Sequence, residues 1–108
     1  MVRGIPEDKL VTIVSRLVDA VSPRQVYLFG SHAYGTPHAD SDVDILVTVD
    51  DELLEREDQD ERGYRSLRGL FLPIELHFLG QRQFERRANI SGSFEHEVRV
   101  KGRLLYAA

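Results

Sequence analysis

Three acidic residues, Asp42, Asp44 and Glu75, and the dipeptide Gly30-Ser31 are the parts of this 108-residue chain whose types and spacing suit chemistry. Asp42 and Asp44 stand two apart in the run Asp42-Val43-Asp44-Ile45-Leu46-Val47-Thr48-Val49. On a strand their Cβ atoms project the same way, roughly 6–7 Å apart. Two ionised carboxylates at that spacing repel by about 2.5 kcal/mol at an effective dielectric of roughly 20. A sheet that adds a third acid on a neighbouring strand needs positive charge between them. Hard divalent cations fit, and magnesium favours carboxylates combined with substrate phosphates. Taken alone, Asp-x-Asp reads equally well as two aspartates solvating the start of a strand.

Gly30-Ser31 follows the apolar run Val26-Tyr27-Leu28-Phe29, and ten residues separate Ser31 from Asp42. Glycine permits close backbone approach, and N–H groups opening onto a short helix make an anion site suited to phosphate. The Ser31 hydroxyl can add a hydrogen bond to a phosphate oxygen. An ordinary strand-to-turn Gly-Ser is the competing reading.

The elements that must position these residues are legible from apolar spacing. Leu10, Ile13, Val14, Leu17, Val18 and Val21 recur at helical intervals after Pro6, with Glu7 and Asp8 at the positive end of the helix dipole. Gln25 to Phe29 reads as a short buried strand, Ser31 to Ser41 as a polar connection, and Asp42 to Val49 as the clearest strand. The charged stretch from Asp51 to about Phe71 predicts one solvated helix, interrupted or ended near Gly69. Pro73 to Leu79 predicts a strand, about 81 to 88 a basic helix, Ser93 to Val100 a helix, and Arg103 to Tyr106 a last extended piece. Strands alternating with helices predict an α/β (α+β) fold, a small mixed sheet with helices mainly on one face, in a single domain over residues 1–108. Alternation sends Val43, Ile45, Val47 and Val49, with Ile74, Leu76 and Phe78, toward the helices. It leaves Asp42, Asp44, Glu75 and His77 facing solvent or a ligand.

Composition narrows the partners. Eighteen acidic against 14 basic residues give a net charge of -4, which disfavours binding to duplex nucleic acid. No apolar run is long enough for a membrane span, the amino terminus lacks a signal-peptide pattern, and there is no cysteine. A cytoplasmic location is the expectation. An acidic chain that handles an anionic ligand must get positive charge from somewhere, and bound metal is the natural source.

Gly30-Ser31-His32-Ala33-Tyr34-Gly35 followed by Ser41-Asp42-Val43-Asp44-Ile45-Leu46-Val47 resembles the Gly-Ser, ten-residue, Asp-x-Asp signature of the DNA-polymerase-β-like nucleotidyltransferases. It is most similar to their small stand-alone members, the minimal nucleotidyltransferases. Glu97, Gly102 and Leu104-Leu105-Tyr106 resemble that family's short carboxy-terminal segment. The resemblance implies a polymerase-β-type fold and transfer of a nucleoside monophosphate, AMP from ATP, onto an acceptor hydroxyl. It implies two Mg²⁺ ions held by catalytic Asp42, Asp44 and Glu75, and the β- and γ-phosphates held at Gly30 and Ser31. The family's third acid is commonly aspartate, so Glu75 is a departure. Its extra methylene is one that magnesium's strict geometry can notice.

The resemblance also implies a partner, a small helical protein of the HEPN class, in a toxin–antitoxin module where the transferase adds AMP to its ribonuclease partner. Oligomers remain open. Two other readings stand beside it: a catalytically weak antitoxin acting by contact, and a small-molecule nucleotidyltransferase. His77, His32 and His38 are read as solvated or substitutable, and Arg82, Arg86 and Arg87 as a solvated basic helix face. Arg56, Arg62, Arg65 and Arg68 are expected to pair with acidic neighbours.

Overall fold

A computed structural model describes residues 4–35, 42–56 and 58–108. The elements run α1 (Glu7–Val21), β1 (Gln25–Phe29), α2 (Ser31–Tyr34), β2 (Val43–Val49), α3 (Asp51–Arg56), α4 (Gln59–Ser66), β3 (Ile74–Gly80), α5 (Gln81–Ala88), α6 (Phe94–Lys101) and β4 (Arg103–Ala107). His38 and Ser41 lie outside the described residues. The four strands form one mixed sheet in the order β3-β2-β1-β4. β1 is antiparallel to both β2 and β4, while β2 and β3 are parallel.

The ends of α1 and the start of α4 have local causes. α1 begins behind Pro6 and closes where Ser22 takes a left-handed conformation, its N–H bonded to the Val18 carbonyl just before Pro23. The stretch after β2 is two helices rather than one. Asp58 caps α4 by accepting a hydrogen bond from the Glu61 N–H at 3.3 Å, a capping signature that outweighs continuation from α3. α4 and its C-cap residue then bury Gln59, Gly63 and Leu67 at four-residue intervals. The tight fit of Gly63 lets the Tyr64 hydroxyl reach β3, where it accepts from the Leu76 N–H at 2.8 Å. One outward backbone donor of this edge strand is thereby satisfied.

The larger core joins Leu10, Ile13, Leu17 and Val21 of α1 to Val26, Leu28, Val43, Ile45, Val47 and Val49. That is the apolar face expected from alternation. The opposite face is not left to solvent along its whole length. Tyr27, Phe29 and Leu46 carry a second, smaller core there beneath Phe84 and Ala88 of α5 and Val98 of α6. The unbroken apolar runs 26–29 and 45–47 are the sequence mark of strands buried on both sides. α5 and α6 cover one part of this face, and the carboxylates occupy the remainder.

Arg82, Arg86 and Arg87 are exposed, as expected of a solvated basic helix face, and two of them also form ion pairs. Arg82 pairs with Glu52 at 2.9 Å, and Arg87 pairs at 3.2 Å with Glu95, whose side chain is only 6% exposed. Arg65 pairs with Glu61, as expected of the charged helix. Arg87→Ala is expected to destabilise the fold by about 2–4 kcal/mol, because it leaves a buried carboxylate without its partner. Glu95→Gln in the same chain should recover part of that loss in a chemical-denaturation double-mutant cycle. A cost under about 0.5 kcal/mol for Arg87→Ala would mean that Glu95 is already satisfied elsewhere.

Candidate active site

The site forms where β1 ends and β2 and β3 begin. Register places Phe29 opposite Asp44, and Asp44 beside Glu75. Because alternation preserves side, Phe29, Asp44, Glu75 and His77 share one face. One ligand atom each from Asp44, Glu75 and His77 lie within 4.8 Å of one another. His77 Nε2 is 3.5 Å from Glu75 Oε1 and 3.9 Å from Asp44 Oδ1.

Asp42 is placed differently. It precedes the first residue of β2, is exposed, and is not among the three whose ligand atoms converge. Its charge still reaches Asp44. Burial, followed by the negative charge of Glu75, raises the Asp44 carboxyl above its ordinary range; His77 opposes the shift, Asp42 adds to it, and His32 opposes it weakly. An ionised Asp44 is thus costly in this site.

Gly30 explains why Asp44 fits at all. Its backbone (φ 76°, ψ -156°) lies in a region essentially restricted to glycine. A Cβ there would land on Asp44 Oδ2, with Asp44 Cγ at 3.2 Å. The Gly30 carbonyl accepts from the N–H groups of Ala33 and Tyr34, so the turn opens directly into α2 with Ser31 as its first residue. Gly35 closes against this turn, since a Cβ on it would stand 2.7 Å from Ser31 Cα. Gly30, Ser31, Asp44 and Glu75 are therefore presented at one end of the sheet.

The model of the nucleotidyltransferase domain family matches residues 7–101, from the start of α1 to the end of α6. The chain belongs to that family. Among solved structures, this nucleotidyltransferase resembles a chain of a mutant toxin–antitoxin MntA–HpeT crystal structure, with a TM-score of 0.51 and 18% identity. The likeness covers 96% of this chain and 75% of that one, and shows the polymerase-β-type fold. No curated protein matches. No helix among the described residues is long and apolar enough to cross a membrane.

The residue underweighted in the sequence is His77. Sequence alone suggests a solvated strand histidine, but Phe29 and Phe94 pack against its ring in an aromatic cluster. The Phe29–His77 centroid distance is 5.2 Å, and that from Phe29 to Phe94 is also 5.2 Å. The available signal was parity: His77 follows Glu75 by two positions, so whatever face takes the acid takes the imidazole too. Phe94 gave no comparable signal, because its contact depends on α6 folding back over the sheet.

Proposed function

We infer that this nucleotidyltransferase moves AMP from ATP onto a hydroxyl of a small helical HEPN-type partner, as the antitoxin of a toxin–antitoxin pair. The observation that carries the reading is the convergence of Asp44 and Glu75 beside the Gly30-Ser31 turn, in a fold shared with a toxin–antitoxin protein. The donor set suits a divalent cation. Two carboxylates converge with a His77 Nε2 that is shut off from solvent and has no hydrogen-bond partner among the described residues.

Asp44 and Glu75, with Asp42 at the exposed strand start, would hold two Mg²⁺ ions. Bound there, the metal supplies the positive charge that lowers the pKa of the acceptor hydroxyl and stabilises the leaving oxygen. The chain's own groups do the rest. Gly30 gives the triphosphate close approach to the backbone, and the Ser31 hydroxyl donates to a β- or γ-phosphate oxygen. The acceptor oxygen bonds to the α-phosphorus, the bond from that phosphorus to the bridging oxygen breaks, and pyrophosphate leaves. Glu75, half-exposed on the open side of the cluster, takes the hydroxyl proton on its carboxylate.

Two measurements test this. ATP titrated by calorimetry should bind with Mg²⁺ and lose most of its affinity in EDTA; equal affinity in both would sink the metal-centred reading. Incubation with labelled ATP, Mg²⁺ and the product of the adjacent gene should then label that product. A partner that is inhibited yet unlabelled would identify an antitoxin acting by contact alone.

A further inference from the structure

We propose that His77 is an inner-sphere ligand of the Asp44–Glu75 cation site and gives it a preference for Mn²⁺-class first-row cations over Mg²⁺. The proposal rests on the reading of this cluster as the cation site of a nucleotidyltransferase, and adds a nitrogen donor to an otherwise all-oxygen set. Magnesium takes oxygen ligands in a near-ideal octahedron and gains little from imidazole. First-row transition ions accept imidazole readily.

Three features of His77 converge. Its Nε2 is buried and makes no hydrogen bond among the described residues, the state in which a polar atom normally costs free energy. That same atom faces both carboxylates, at 3.5 Å from Glu75 and 3.9 Å from Asp44. Around an ion with bonds of about 2.1 Å, adjacent octahedral ligand atoms are roughly 3.0 Å apart and opposite ones roughly 4.2 Å. Both distances fall between those two values, and all three ligand atoms lie within 4.8 Å of one another, so the side chains must adjust to close on one cation. Finally, ring contacts with Phe29 (interplanar angle 64°) and Phe94 (46°) hold the imidazole in place. A preorganised imidazole loses little freedom on binding.

The test is pulsed electron paramagnetic resonance on the full chain loaded with Mn²⁺ alone, using natural-abundance protein and protein labelled with ¹⁵N-histidine. The expected spectrum carries one imidazole nitrogen coupling, which changes isotope pattern with the label and disappears in His77→Phe. Phenylalanine preserves the aromatic packing against Phe29 and Phe94, and circular dichroism checks the fold. Competition should show the Mn²⁺:Mg²⁺ affinity ratio falling at least about tenfold in His77→Phe. Mn²⁺ bound to the parent without nitrogen coupling overturns the proposal while leaving the carboxylate site intact. Coupling that survives His77→Phe also overturns it, since another histidine is then the ligand. Mn²⁺ binding that survives Asp44→Asn undiminished instead sinks the cation reading of the cluster itself. Should His77→Phe fail to fold, His77→Gln carries the same test: the nitrogen coupling should vanish there, and its survival overturns the proposal.

Discussion

Gly30→Ala is expected to lower nucleotidyl transfer by about 100-fold or more and to destabilise the fold by roughly 2–6 kcal/mol. Two independent costs add. The first is backbone strain, because φ 76° with ψ -156° is a conformation that L side chains scarcely adopt, worth about 1–3 kcal/mol. The second is the collision of the new methyl with the Asp44 carboxylate, which must rotate or retreat. Packing an extra methyl into an occupied site costs about 1–3 kcal/mol by itself. Displacing a residue of the reacting site by an ångström is enough for about a hundredfold rate loss. Gly69→Ala is the matching control. Gly69 also has positive φ (88°), but a Cβ there meets nothing within 4 Å. Its cost should be strain alone, about 1 kcal/mol, with transfer unchanged. Denaturation midpoints and transfer rates for both variants separate the contributions. If Gly30→Ala kept parental activity, Asp44 would not need the place that Gly30 leaves for it.

Strand parity made most of this arrangement legible beforehand. Asp44, Glu75 and His77 could be assigned to one face from spacing alone, because a period of two leaves no choice once the strands are recognised. The helical spacing of Leu10, Ile13, Leu17 and Val21 likewise fixed the buried side of α1. Spacing does not carry depth. Asp42 and Asp44 look equivalent as letters, yet one precedes β2 in solvent while the other lies within the sheet between Phe29 and Glu75. Nor does it carry what arrives from a distance. Glu95 reads as a surface acid on a charged helix, but α6 folds against α5 and buries it beside Arg87. The split between α3 and α4 was available in Asp58 and Glu61, whose three-residue spacing is a helix-start signal. Continuous charge through that stretch concealed it.

Asp44→Asn is expected to separate stability from function in opposite directions. Asp44's carboxyl has its pKa raised above the ordinary value of 3.8, first by burial and then by the charge of Glu75. The folded chain therefore holds this proton more tightly than the unfolded one. The resulting stabilisation is fully present below the ordinary value and is lost as pH rises through the raised one. At pH 7 the ionised carboxylate is a net cost to the metal-free fold, and asparagine removes it at nearly constant volume. With the Asp44 side chain 24% exposed, solvent screens much of the effect, so the gain should be at most about 1 kcal/mol, or a few degrees in Tm. That gain should shrink as pH falls toward the ordinary carboxylate range, where the parent is protonated too. Function should move the other way. The neutral amide is a poorer cation ligand, so transfer should fall at least about 100-fold, beyond what losing a supporting contact at a metal site usually costs. Divalent cation should raise the Tm of the parent more than that of the variant, because only binding to the folded state stabilises it. Thermal melts at pH 7 and near pH 4, each with EDTA and with added cation, check all of this together. A variant less stable than the parent in EDTA at pH 7 would mean that the fold itself neutralises Asp44, and that no cation is needed to hold these carboxylates together.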